Sequence, residues 1–320
     1  EPLPPVYGFK ACMKVSNTKF FVARTFQLFF NPKIKQKIEV GTLYLAATGF
    51  LLHLIAVFLH MWGVIQPPAE VTRLLASPIS AVYTPFSFIL IYEVYLLVYY
   101  LPRSFSIAIA KQFEIISLIL IRRIFKDISN LDFQSIELFS AENLNLLYDI
   151  TGFLTLFFLI FIFRYLLVNR KSHTVTRNIR EFIHFKKSLC IVLAPLLVIL
   201  SVYSLTNWVI EVNQLSLGLI DTVTDFNKIF YNEFFVALVI VDVLILVASF
   251  KYTDRYSLLI RNTGFVVSTV LIRISFSTDG LSNIVLLLSG VLFGVIILYL
   301  YSLYDKIDRG ASTKESYAYL

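Results

Sequence analysis

Apolar residues run through this chain in blocks of 19 to 26, broken by short polar stretches. At about 1.5 Å per residue each block crosses about 30 Å of hydrocarbon, so the pattern predicts transmembrane helices rather than barrel strands. Eight spans follow, at 41–66, 83–101, 104–126, 145–168, 188–210, 232–250, 256–277 and 283–304. The expected fold class is an all-α, polytopic integral membrane protein.

The spans repeat. IISLILIRRIF (115–125) matches VVSTVLIRISF (266–276), with Ser117, Leu120, Ile121, Arg122 and Phe125 recurring as Ser268, Leu271, Ile272, Arg273 and Phe276. EVYLLV from Glu93 matches DVLILV from Asp242, an acid inside an apolar run in each case. Helix 1 aligns with helix 5 (51–65 with 196–210), and Thr151-Gly152 with Ser289-Gly290, though apolar helices align by composition alone and carry less of the case. Two four-helix repeats, 41–168 and 188–304, are expected. Each has an even number of spans, so they enter in the same orientation as parallel repeats.

Charge then orients the chain. The net charge is +7, and 19 Lys and Arg fall on one side of the eight spans against Arg73, Lys126 and Lys228 on the other. By the positive-inside rule both termini are cytoplasmic. The arm 1–40, the basic linker 169–187 (helical through 177–185) and the tail 305–320 share that side. Within the arm, 20–38 reads as an amphipathic helix, either lying on the membrane with Phe20, Phe21, Phe26, Phe29 and Phe30 inserted or packed on the protein's own inner face. Nothing in 1–40 has the form of a signal peptide. With 58% apolar and 15% charged residues, a soluble enzyme core is excluded.

Cys12 and Cys190 are the only cysteines and offer no outer-face disulfide. No P-loop, H-E-x-x-H, G-x-S-x-G or C-x-x-C motif occurs, so no enzyme activity, metal site or cofactor is expected. His53 and His60 are two turns apart on helix 1, about 10 Å, too far to share one metal or haem. The expected location is a bacterial inner membrane or an organellar membrane. The expected partners are the lipid bilayer, with anionic headgroups at the basic face, and a homo-oligomer or a larger membrane complex; no nucleic acid is expected.

FSFILIYEVYLLV (86–98) followed by SLILIRRIFKDISNLD (117–132) resembles the phosphate-starvation-inducible E (PsiE-like) family of small four-helix bacterial membrane proteins. The resemblance covers about 41–170 and implies that Glu93, Arg122 and Asp127 occupy the family's polar positions. This chain departs in being double length, and its second copy has Ser277-Thr278-Asp279 after the Arg motif. The resemblance implies a fold and no reaction.

Ionisable groups inside spans are costly and are candidate functional residues. Glu93 lies about 12 Å and Lys111 about 10 Å from the inner end of their hairpin, so they are expected to pair, with Glu114 as the lysine's second partner. Asp242 has no basic residue at its own depth on helix 7, because Arg261 sits too near one face and Arg273 too near the other. It is expected either to face Glu93 and His53 around a midplane cavity or to be held neutral by hydroxyls. Arg122, Arg123 (with Asp127 four residues on) and Arg273 read as outer-face residues, and Arg164 as a snorkelling residue. Glu93, Lys111, Glu114, Asp242 and His53 thus form an expected ion or proton pathway of a channel or transporter-like protein. The rival reading is a non-catalytic accessory or scaffold subunit, and a haem or pigment carrier through His53 is a third.

Overall fold

The computed structural model describes residues 21–65, 75, 77–130, 141–169, 177–216, 226–252, 255–278 and 280–318. Among them there is no strand. A helix at 21–29 is followed by α1 (Pro32–Met61), a 3-10 turn (Ser80–Tyr83), α2 (Thr84–Tyr100), α3 (Phe105–Asn130), α4 (Ala141–Val168), α5 (Arg177–Ser216), α6 (Phe226–Tyr252), α7 (Tyr256–Ser275) and α8 (Gly280–Ala318). Seven of the helical stretches are long and apolar enough to cross a membrane. The remaining one, α3, has the length at 26 residues but carries Lys111, Glu114, Arg122 and Arg123 within its apolar run.

The amphipathic stretch expected over 20–38 is divided in two. Asn31 caps α1 by accepting from the Lys33 N–H at 3.1 Å, and Pro32, which needs no backbone partner, takes the first helical position. On the 21–29 side, Phe26 and Phe30 stack on each other, and Phe30 on Tyr95 of α2, while Phe21, Leu28 and Phe29 stay exposed. The arm therefore packs one edge on the protein and leaves another bare. At the far end, α8 runs unbroken into the expected tail as far as Ala318.

Each of the hairpins α1–α2, α2–α3, α3–α4, α5–α6, α6–α7 and α7–α8 packs on itself, and α4 on α8, α3 on α7 and α2 on α5 join the two halves. The joint is dry. Phe163 of α4 meets Phe113 of α3 edge-on at 5.0 Å and Phe265 of α7 at 5.8 Å, all three buried. α7 and α8 pack closely where Ser268 donates to the Gly290 carbonyl at 2.7 Å. A Cβ at Gly290 would stand 3.1 Å from the Ser268 carbonyl oxygen, so only glycine permits this contact. Outward, α4 presents Leu154, Phe157, Phe158 and Phe161, each about 60% exposed, which water would penalise and hydrocarbon accepts.

Candidate functional site

Two buried ion pairs clasp two hairpins. Glu93 of α2 meets Arg122 of α3 at 3.4 Å, with the side chains 2% and 5% exposed. Asp242 of α6 meets Arg273 of α7 at 2.7 Å, at 8% and 6%. The expected Glu93–Lys111 pair does not form, and Arg273, assigned to the outer face on sequence, reaches Asp242.

The correction has a geometric cause. Counting from the hairpin turns puts Arg122 about 15 Å farther along the axis than Glu93, and Arg273 about 10 Å farther than Asp242. A helical side chain leans toward the N-terminus of its own helix. In an antiparallel hairpin the acid on the first helix leans away from the turn and the arginine on the second leans back toward it. The two leans converge and, with the length of an arginine, close the gap. Lys111 leans toward the turn, away from Glu93, and binds Glu114 instead at 2.6 Å.

Glu114 is shared with Arg164 of α4 at 2.9 Å, so Arg164 is an ion-pair partner as well as a surface residue, at 54% exposure. Arg123 does not turn to Asp127; it grips buried Asp149 of α4 with two N–H groups in a bidentate fork. Asp127, just past the 104–126 span, is pushed up to about 6 by burial and by the Asp149 carboxylate, against the pull of Arg123 and Lys126. Arg122 and Arg273, at 4% and 7% exposure, are buried within the helix bundle.

His53 stands apart from both carboxylates. Its Nδ1 hydrogen-bonds the Thr84 hydroxyl at the first residue of α2, two and a half turns from Glu93. The cavity that reaches Asp242 is lined by neither Glu93 nor His53. Among the described residues no cluster of His, Cys, Asp and Glu could hold a metal ion.

What reaches Asp242 is a small cavity of about 20 Å³ lined by Leu101, Phe105, Ala108, Ile109, Gln112, Lys186, Asp242, Ile245 and Val266. It lies where α3 of the first half meets α5, α6 and α7 of the second. Its volume suits about one water. The Thr269 hydroxyl lies 3.1 Å from the same Asp242 oxygen and 2.9 Å from the Val266 carbonyl and shares its one proton between them. Lys186 is 2% exposed, between the Phe105 and Phe182 rings at 4.6 and 5.4 Å, and donates to the Arg103 carbonyl at 2.7 Å. Arg103 in turn lines an open basin of about 400 Å³ at the α2–α3 turn.

Lys186 and Asp149 were missed on sequence. Lys186 counts there as one more cation of a basic linker, since nothing in KK followed by an apolar run tells which lysine turns inward. Asp149 was legible: it stands four residues inside its span, Arg123 three inside the facing end of the previous one, so the two share a depth.

Comparison with known proteins finds no matching family model, no match among curated proteins and none among solved structures. The resemblance to the PsiE-like family rests on the residues quoted for it alone.

Proposed function

We propose that the chain is a multi-pass membrane protein that passes protons at the interface of two parallel four-helix repeats, with both termini cytoplasmic. The observation that carries this reading is the one-water cavity holding Asp242 and Lys186. A carboxylate and an ammonium that face one water inside a span can exchange a proton through it, whereas a hydrated ion has no room. Lys186 Nζ gives a proton to the water, the water gives one to an Asp242 oxygen, and Lys186 is recharged from the Arg103 side. Protonated Asp242 no longer attracts Arg273, which loosens α6 from α7 and opens the far side. On this reading protons enter from the basic face, on the side of Lys186 and the Arg103 turn.

The duplication is supported by corresponding contacts. Glu93–Arg122 has its counterpart in Asp242–Arg273, and the stacked rings Phe86–Phe125 (4.4 Å) in Phe235–Phe276 (5.0 Å). Of the packings between halves, α3 on α7 and α4 on α8 each join a helix to its own counterpart, while the smaller α2 on α5 does not. Duplication has left the halves unequal: on this reading the first copy's pair is a sealed lock and the second copy's acid is the working group.

The first copy favours a second reading, an accessory or scaffold subunit. The buried Glu93–Arg122 pair and the half-buried Arg123–Asp149 pair are clasps of the kind that fix helix arrangement. The two readings separate on ion selectivity in liposomes containing the purified protein. Proton passage predicts pH equilibration under a clamped potential with no conductance to K⁺, Na⁺ or Cl⁻. A tight bilayer for protons would leave the scaffold reading in place.

A further inference from the structure

We propose that the basin at the α2–α3 turn binds the phosphate of an anionic lipid headgroup. It is an open concavity of about 400 Å³, lined by Pro32, Lys35, Gln36, Glu39, Tyr99, Tyr100 and Arg103. This inference does not rest on proton passage; the basin and the one-water cavity are separate spaces.

The lining has the donors an anion needs. Lys35 and Arg103 supply two positive charges from two different elements, α1 and the α2–α3 turn. The lining also holds one carboxylate, Glu39, which accepts the Tyr92 hydroxyl on Oε2 at 2.7 Å and leaves the two cations in excess by one charge. The Lys35 ammonium lies 5.9 Å from the centre of the Tyr100 ring, which holds the cation at the basin wall. Pro32 opens α1, so the basin also borders the positive end of a 30-residue helix, whose first amides are themselves held by Asn31. The helix end only adds to a charge the side chains already establish. Gln36 adds an amide suited to a phosphate ester oxygen or a glycerol hydroxyl.

The surroundings select a lipid over a soluble anion. Phe29, whose carbonyl accepts from Tyr95 one turn before Tyr99, is 60% exposed. On α1, Val40, Leu43 and Tyr44, the turn after Gln36 and Glu39, are 44%, 55% and 72% exposed. A cationic concavity bordered on both sides by bare apolar side chains is where a headgroup meets the start of its acyl chains. A free anion would gain nothing from that apolar border.

The test is native mass spectrometry of the full chain in mild detergent with added phosphatidylglycerol or phosphatidylcholine. The variants are the double substitution Lys35→Gln/Arg103→Gln and, as control, Lys37→Gln, an exposed cation outside the basin. Wild type is expected to retain one phosphatidylglycerol at concentrations where phosphatidylcholine is lost. The double variant should weaken retention about thirty-fold, the worth of two cations at an anionic surface, and Lys37→Gln should leave it unchanged. Should the double variant fail to fold, the Lys35→Gln single variant decides by the same ratio. Equal retention by wild type and the basin variant would overturn the proposal, as would displacement of the lipid by millimolar inorganic phosphate.

Discussion

Arg273 of α7 holds Asp242 of α6 at 2.7 Å while the hydroxyl of Thr269, one turn before the arginine, lies 3.1 Å from the same carboxylate oxygen. Arg122 and Glu93 make the corresponding pair at 3.4 Å, with no threonine at the matching position, where Leu118 stands. The Glu93–Arg122 pair is buried between α2 and α3; the Asp242–Arg273 pair touches a water-sized space shared with Lys186.

Breaking the Glu93–Arg122 pair from one side leaves a bare charge in the interior. Glu93→Leu alone should cost about 3–5 kcal/mol, because Arg122 keeps its charge and loses its partner. Glu93→Leu combined with Arg122→Met should recover most of that loss. A double-mutant cycle in detergent, read by thermal or denaturant unfolding, checks the coupling; additive losses would show that the pair is not a clasp.

Gly290 admits no side chain. Gly290→Val should cost about 2–3 kcal/mol or more, since the new atoms meet the Ser268 carbonyl and the Ile272 backbone nitrogen, neither of which can swing aside. Gly41, also in a helix, has nothing within 4 Å of an added Cβ, and Gly41→Ala should stabilise by about 0.5–1 kcal/mol. Comparing the two melting temperatures checks whether α7 and α8 touch as closely as described.

Asp127 gives the fold a pH dependence. Its carboxyl is pushed above the ordinary 3.8 to about 6, so the folded state prefers its protonated form. That preference is fully present below about pH 4 and is lost as pH rises through 6. The stability gap between wild type and Asp127→Asn should therefore change between pH 4 and 6, with the variant relatively better at the upper end. Unfolding curves of both proteins across that range check the sign.

Helix number and the acidic positions were legible because each depends on composition over a single span. Which charge meets which was not. Axial counting from the turn puts Lys111 level with Glu93 and Arg273 far from Asp242, and both readings fail for one reason: side-chain lean in an antiparallel hairpin adds at one pairing and subtracts at the other. Once that lean is included, the Arg motif at 120–125 and 271–276 points to the acids of the preceding helix from sequence alone. The inward turn of Lys186 stays beyond such counting, because it depends on the Phe105 and Phe182 rings that receive it and on the Arg103 carbonyl exposed at a turn.

The central claim is that Asp242 relays protons and Glu93 does not. Proton flux into liposomes under a pH gradient, with the potential clamped, should be measured for wild type, Asp242→Asn and Glu93→Gln at equal amounts of folded protein. The account predicts flux in the wild type, a loss of about ten-fold or more in Asp242→Asn, and flux retained in folded Glu93→Gln. Wild-type flux equal to that of Asp242→Asn, or none in either, would contradict it.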